Sequence, residues 1–245
     1  MQENFIEENL IQISAWFVLI ATTVLIVIVE YKFFKKNRNK KSSAIKEVLM
    51  HRFGVGNASF RTGSNKVKAV DTVAFGCYRR DAFEKYGLFN EKLIRNQDIE
   101  LNKRIINRGG KIYLTPEVKC TYYARENFTS LAKNNYSNGF WNILTAYYTK
   151  TLNSLGLRHF IPLLFVLSLI IPLLGSLIFP QLLWIALFSL VSYLSLVIII
   201  SFRLKNSSNT IGYLIISFLT LHLSYGWGSL VGIFSVINKY LKGEQ

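Results

Sequence analysis

The chain has 245 residues, with 29 Lys and Arg against 14 Asp and Glu for a net charge of +15, yet 51% of it is hydrophobic. Its mean hydropathy is +0.26. That pairing excludes an ordinary soluble domain and requires the apolar and the charged residues to be segregated along the chain.

Ile11 to Val29 is an almost unbroken apolar run, interrupted by Gln12, Ser14, Thr22 and Thr23. At about 1.5 Å per residue it matches the ~30 Å hydrocarbon core of a bilayer. Acidic residues precede it (Glu3, Glu7, Glu8) and basic ones follow it (Lys32, Lys35, Lys36, Arg38, Lys40, Lys41). A signal peptide has the opposite charge order, so the run reads as an anchor with its N-terminus outside and its C-terminus in the cytoplasm. Twenty-five of the 29 basic residues lie between Lys32 and Arg158. This polar island is therefore placed on the cytoplasmic face of the plasma membrane, where each basic residue near anionic headgroups adds roughly 1 kcal/mol of attraction. No recognition motif accompanies the charge, which sets nucleic acid aside as a partner. Cys77 and Cys120 both fall on the island without Cys-x-x-Cys spacing, and they read as ordinary buried thiols in a reducing compartment.

Within the island, Ser42 to Met50 reads as a short helix capped by Ser42 or Ser43. The glycine-rich stretch from Phe53-Gly54-Val55-Gly56-Asn57 to Gly63 lacks the endings and flanking elements of a nucleotide cradle and reads as a turn-rich loop. Val70 to Tyr78 is expected as a strand bearing Asp71, followed by a short helix, Asp81 to Tyr86, stopped by Gly87. The next helix begins near Asn96, a natural N-cap. It carries Asp98 and Glu100 in its first turn, buries Leu101, Ile105 and Ile106, and stops at Gly109-Gly110. Short strands are expected at Lys111 to Leu114 and Val118 to Tyr123, around Pro116. Asn127 to Tyr148 is an aromatic-rich amphipathic stretch, suited to the headgroup layer or to packing on the island.

His159 to Phe179 and Gln181 to Phe202 form a transmembrane hairpin about Pro180. Ile211 to Ile237 is apolar but contains His222, Gly226, Gly228 and Gly232. It is either a full span or a half-helix followed by an interfacial helix, and the positive-inside rule slightly favours the second, because it keeps Lys239 and Lys242 inside. The chain thus divides into an anchor with its basic flank (1–41), a polar domain (42–158) and a C-terminal membrane region (159–245).

The chemistry sits in Arg95-Asn96-Gln97-Asp98-Ile99-Glu100. A carboxylate in the first turn of a helix is favoured in its ionised form by the helix dipole, and Arg95 and Lys103 push the same way. Such a carboxylate can take a proton from a hydroxyl, or can simply stabilise the helix start.

Several segments together resemble the C-terminal half of the catalytic domain of glycosyltransferase family 2, and most closely its membrane-bound exopolysaccharide (succinoglycan-type) members. They are Phe53-Gly54-Val55-Gly56, Val70-Asp71-Thr72-Val73-Ala74-Phe75-Gly76, Tyr78-Arg79-Arg80, Tyr86-Gly87-Leu88-Phe89-Asn90-Glu91, Asn96-Gln97-Asp98-Ile99-Glu100 and Gly109-Gly110-Lys111-Ile112. His222-Leu223-Ser224-Tyr225-Gly226-Trp227-Gly228 and the C-terminal hairpin are similar to the same group. The resemblance implies an α/β membrane protein with a partial nucleotide-diphospho-sugar transferase-like domain. It implies inverting transfer of a sugar to a polyprenyl-diphosphate-linked glycan acceptor at the cytoplasmic face. Asp98 then falls at the base, with Glu100 as the second acid of the motif, and Asp71, Arg95, Gln97 and Trp141 on the substrate side.

Two departures accompany it. The chain contains no Asp-x-Asp motif, and the anchor occupies the place of the family's nucleotide-binding β/α units. A nucleotide sugar, and the Mg or Mn that accompanies it, would come only with a donor-binding partner. The Gln-x-x-Arg positions of related enzymes correspond to Asn134 and Ser137, before Phe140 and Trp141. The other reading is a non-catalytic membrane subunit, or a degenerate remnant, docked on a polysaccharide-assembly complex.

Overall fold

The computed structural model describes residues 38–56, 59–62, 64–73, 76–118, 123–150 and 157–243. The expected anchor, Ile11 to Val29, lies outside the described residues, as does most of the expected strand Val118 to Tyr123.

The described chain is mostly helical. In order it comprises α1 (Arg38–Met50), α2 (Arg52–Val55), α3 (Ser59–Thr62), β1 (Lys68–Val70), α4 (Arg80–Tyr86), α5 (Gln97–Asn107), β2 (Ile112–Leu114), α6 (Phe128–Thr149), a 3-10 turn (Leu157–His159), α7 (Ile161–Gly175), α8 (Leu182–Leu204) and α9 (Ile211–Leu241). The sheet is a single antiparallel pair, with Lys68 opposite Leu114 and Val70 opposite Ile112.

α9 is the axis of the larger core. It is continuous over 31 residues, so the glycines expected to break it do not. They are the positions where other helices touch its backbone. A Cβ at Gly228 would fall on the Tyr136 carbonyl of α6, one at Gly232 would come within 2.9 Å of the Phe140 carbonyl, and one at Gly226 would strike the Pro162 carbonyl of α7. Gly139 answers from α6, where a Cβ would meet the Tyr225 carbonyl and lie 2.9 Å from Ser229 N. Small residues four apart let two helix backbones approach closely, which is how helices associate where lipid offers no hydrophobic drive.

α1 packs on the N-terminal part of the same helix. Ala44, Ile45, Val48 and Leu49 are buried in one cluster with Tyr213, Leu214 and Phe218. The apolar spacing of α1 runs on one helical face, and the helix is already formed at Arg38, so Ser42 and Ser43 lie inside it rather than cap it.

Among the described residues, two helices are long and apolar enough to cross a membrane, α8 with 23 residues and α9 with 31. The first arm of the expected hairpin is shorter than the sequence suggested. α7 has 15 residues, about 22 Å of helix, because the chain turns at Ser176 to Gln181 around Pro180. The outward faces of α7 and α8 are apolar, with Leu164, Ile171, Trp184 and Phe188 all exposed.

The polar island has its own small core. Tyr86, Leu101, Ile105 and Ile112 are buried together, with Val70, Tyr78 and Phe83 against them. Among the described residues of the strand expected from Val70 to Tyr78, only Val70 pairs. Beyond it the backbone leaves the sheet, with Asp71 on Arg158 and Thr72 on Asn102. Cys77, expected as a buried thiol, is exposed there. The helices expected at Asp81 to Tyr86 and from Asn96 are present, and Gly87 (φ 85°) and Gly109 (φ 82°) adopt the left-handed backbone that ends them.

Candidate functional site

A cavity of about 1010 Å³ lies where the head of α5 meets α6, the α1–α2 turn and the apolar helices α7, α8 and α9. Its walls differ in kind. α7, α8 and α9 supply Ile161, Pro162, Phe165, Leu196 and Leu221, while α5 with the two residues before it, and α6, supply Arg95, Asn96, Asp98, Asn134, Asn138 and Asn142. Asn134, Asn138 and Asn142 are four residues apart, which puts them on one face of α6. Arg52, Arg61 and Arg158 also line it, so with Arg95 four arginines border the cavity beside one acidic residue, Asp98.

The polar wall is tied together. Arg95 donates to Asn138 Oδ1 at 2.6 Å, and Arg125 donates to Asn134 Oδ1 at 2.7 Å. Asn96 Nδ2 donates to Asn142 Oδ1 at 2.7 Å, and Asn142 Nδ2 donates to the Tyr225 hydroxyl. On the other side His222 Nε2 lies 3.0 Å from the Phe53 carbonyl, and Nδ1 lies 2.9 Å from the Tyr193 hydroxyl. A carbonyl only accepts, so Nε2 carries the proton and Nδ1 accepts from Tyr193. This imidazole fastens the α1–α2 turn to both α8 and α9.

Asp98 is half-buried on the cavity wall. One of its oxygens accepts from Ile99 N at 2.9 Å. Burial, and after it the Asp98 charge, raises the hydroxyl pKa of Tyr78 above its ordinary value. Tyr78 therefore lies within the field of this carboxylate.

The remaining residues singled out in the sequence divide clearly. Arg95 and Asp98 line the cavity. Asp71 reaches its edge through Arg158, 2.7 Å away. Glu100 faces the other way. It is buried and holds Arg104 through two oxygens, at 3.0 and 2.7 Å, while Arg104 also donates to the Tyr86 and Leu88 carbonyls. Its geometry is that of a tie between α5 and the α4 loop. Gln97 is exposed and donates back to the Leu93 carbonyl. Trp141 is half-buried on α6 with its ring edge-on to Phe140 at 6.1 Å, and it is not part of the cavity lining. The cavity residues not foreseen, Asn138 and Asn142 above all, had a readable signal in the four-residue recurrence of Asn from Asn134.

The residues present do not fit a divalent metal. Among the described residues no group of three or more His, Cys, Asp or Glu could hold one, and the arginines around Asp98 would repel a cation. Such a set suits an anion instead, because guanidinium forks match phosphate and carboxylate oxygens. An amphiphile with an anionic polar end would meet complementary surfaces on both walls. No family model, no curated protein and no solved structure matches this chain.

Proposed function

We propose that this chain is the acceptor-side half of an inverting glycosyltransferase of family 2, of the membrane exopolysaccharide type. In this reading it is a multi-pass plasma-membrane protein with the island in the cytoplasm. The observation that carries the reading is the position of Asp98, at the head of α5 and on the polar wall of a cavity whose opposite wall is the apolar face of membrane helices. A lipid-linked glycan is an acceptor of that shape, with its chain on the apolar side and its phosphates toward the arginines.

The chemistry assigned to Asp98 is proton removal. Its carboxylate takes the proton of the acceptor hydroxyl as that oxygen attacks the anomeric carbon of the donor sugar. The bond from that carbon to the nucleoside diphosphate breaks with its electron pair, and the configuration inverts. General-base assistance of this kind contributes about 10²- to 10⁴-fold. Arg95 and the other arginines hold the anionic end of the acceptor in register. The donor sugar is bound by a separate donor-binding half, which also brings any metal.

Replacing Asp98 with Asn in the full chain, co-expressed with a donor-binding partner, lowers sugar transfer by at least about 100-fold and leaves thermal unfolding unchanged. Wild-type transfer by this variant overturns the base assignment.

A second reading is favoured by the island's surface. Val67, Tyr113, Val118 and Tyr123 are all more than half exposed, and among the described residues each strand of the pair has an open edge, a feature proteins ordinarily cover. A non-catalytic subunit docked on a polysaccharide-assembly complex would use that surface. It would co-purify with its partner and give no sugar-nucleotide turnover in any pairing.

A further inference from the structure

The residue that precedes α5 adopts a backbone conformation that few side chains tolerate. Asn96 has φ 64° and ψ 17°, in the left-handed region. Asn enters that region more readily than most residues. At a helix start, however, its side chain would ordinarily accept from a backbone N–H of the first turn, and here it makes no such bond. Instead the Asn96 carboxamide reaches another helix and donates to Asn142 Oδ1 at 2.7 Å. Asn142 is 2% exposed and passes the connection to the Tyr225 hydroxyl on α9. Both functional atoms of Asn142 are thus used, one toward the island and one toward the membrane helix. The crossing is in tight register at this level, because Gly139 of α6 lies against the Tyr225 carbonyl.

A second buried asparagine acts from the opposite side of α5. Asn102 is fully buried, accepts from Tyr78 OH at 2.8 Å and donates to Thr72 Oγ1 at 2.9 Å. That bond fixes the island side of α5. The Asn96–Asn142–Tyr225 chain fixes the end that bears Asp98, two residues beyond Asn96.

We infer that Asn142, acting with Asn96 and Tyr225, is a positioning residue that registers Asp98 to the membrane helix α9 and aims its carboxylate into the cavity. The inference rests on the proposed reading of Asp98 as the base for its catalytic meaning, although the placement of Asp98 is testable without turnover. A cap residue that gives up its cap bond to reach across to another helix sets the angle at which α5 enters, and that angle decides where Asp98 points. A carboxylate displaced by about 1 Å loses on the order of 100-fold in rate.

The test follows Asp98 itself. The full chain in lipid nanodiscs is labelled with a carbodiimide and glycine ethyl ester across a pH series, and modification of Asp98 and of the exposed Asp81 is read by peptide mass spectrometry. In Asn142→Ala, and in the milder Tyr225→Phe and Asn96→Gly, the Asp98 labelling rate changes while that of Asp81 does not. Asn96→Gly keeps the left-handed backbone and loses only the carboxamide. Asn142→Asp, which can still accept from Asn96 and from the Tyr225 hydroxyl, restores the labelling rate. Profiles for Tyr225→Phe and Asn96→Gly that superimpose on wild type overturn the inference. In the transfer assay, Tyr225→Phe lowers kcat with acceptor KM unchanged. Wild-type kcat there, with Asp98→Asn inactive, overturns the positioning role alone. Full transfer by Asp98→Asn overturns the base and leaves the labelling result to decide the placement.

Discussion

Where α6 crosses α9, the contact is made by what the side chains lack. Gly139, Gly228 and Gly232 leave no Cβ between the two backbones, and the Tyr136, Phe140 and Tyr225 carbonyls occupy that space. Where α5 meets α4 and the segments flanking it, the contact is made by long side chains that reach. Arg104 spans from Glu100 to the Tyr86 and Leu88 carbonyls, and Tyr78 reaches Asn102. The first region resembles a close-packed solid and the second a set of ties around a small core. The cavity lies between them, so one of its walls is fixed by backbone contact and the other by hydrogen bonds that single substitutions can cut.

The difference is broken most severely at the glycines. Gly228→Leu and Gly139→Leu each place a branched side chain on a carbonyl of the facing helix, so α6 and α9 must separate. The expected loss is about 3 kcal/mol or more, measured by unfolding in detergent micelles, together with loss of a monodisperse peak. Gly212 is a contrast within the same helix, because a Cβ there would meet nothing within 4 Å. Gly212→Ala should be neutral or stabilising by up to about 1 kcal/mol, the helix-propensity difference. Equal effects at positions 212 and 228 would remove the close-approach argument.

The island gives way more locally. Glu100 and Arg104 have side chains 9% and 21% exposed, so Glu100→Gln leaves a largely buried guanidinium without its counter-charge. A cost of about 2 kcal/mol follows, lower than at the glycines because the remaining carbonyls still hold Arg104. Hydrogen exchange should quicken across α4 and α5 and stay unchanged across α9. If protection fell equally in α9, the two regions would be one cooperative unit and the comparison would be wrong.

The sequence spoke most clearly where physics is local. The α5 boundaries follow from Asn96 and Gly109-Gly110, and the acids at 98 and 100 are where helix-start chemistry puts them. Their division of labour was not legible. Residues 98 and 100 are about 200° apart around a helix, so one can face a cavity only while the other turns away toward α4, and which does so depends on where α6 and Arg104 lie. Asn96 is similar, since the cap position was readable but its bond to Asn142, 46 residues away, was not. The glycines of α9 misled for a related reason. Glycine weakens an isolated helix, and only the presence of Tyr136 and Pro162 against them turns that weakness into a packing surface. The length of α7 depended on where the chain turned around Pro180, which the unbroken apolar run concealed.

The gentlest probe of the same contrast is pH at the α1–α2 turn, where the island chain leaves α1 and touches α9. His51 Nδ1 accepts from Phe53 N at 3.1 Å, and its ring lies edge-on to Phe218 of α9 at 6.1 Å. Burial lowers its pKa from the ordinary 6.5, in keeping with a ring nitrogen that must stay unprotonated to accept. Because the folded pKa lies below the unfolded one, the unfolded chain takes up the proton first as pH falls. The contribution of neutral His51 is therefore complete above about pH 6.5 and is lost as pH drops toward the lowered folded value. His51→Asn keeps an acceptor at the helix start without a titrating group. The Tm difference between wild type and this variant, followed from pH 7.5 to pH 5, should move against the wild type as the pH falls. A difference that stays constant would mean that His51 binds its proton equally well folded and unfolded, so that neither its burial against Phe218 nor its hydrogen bond ties the turn to α9 in a pH-dependent way.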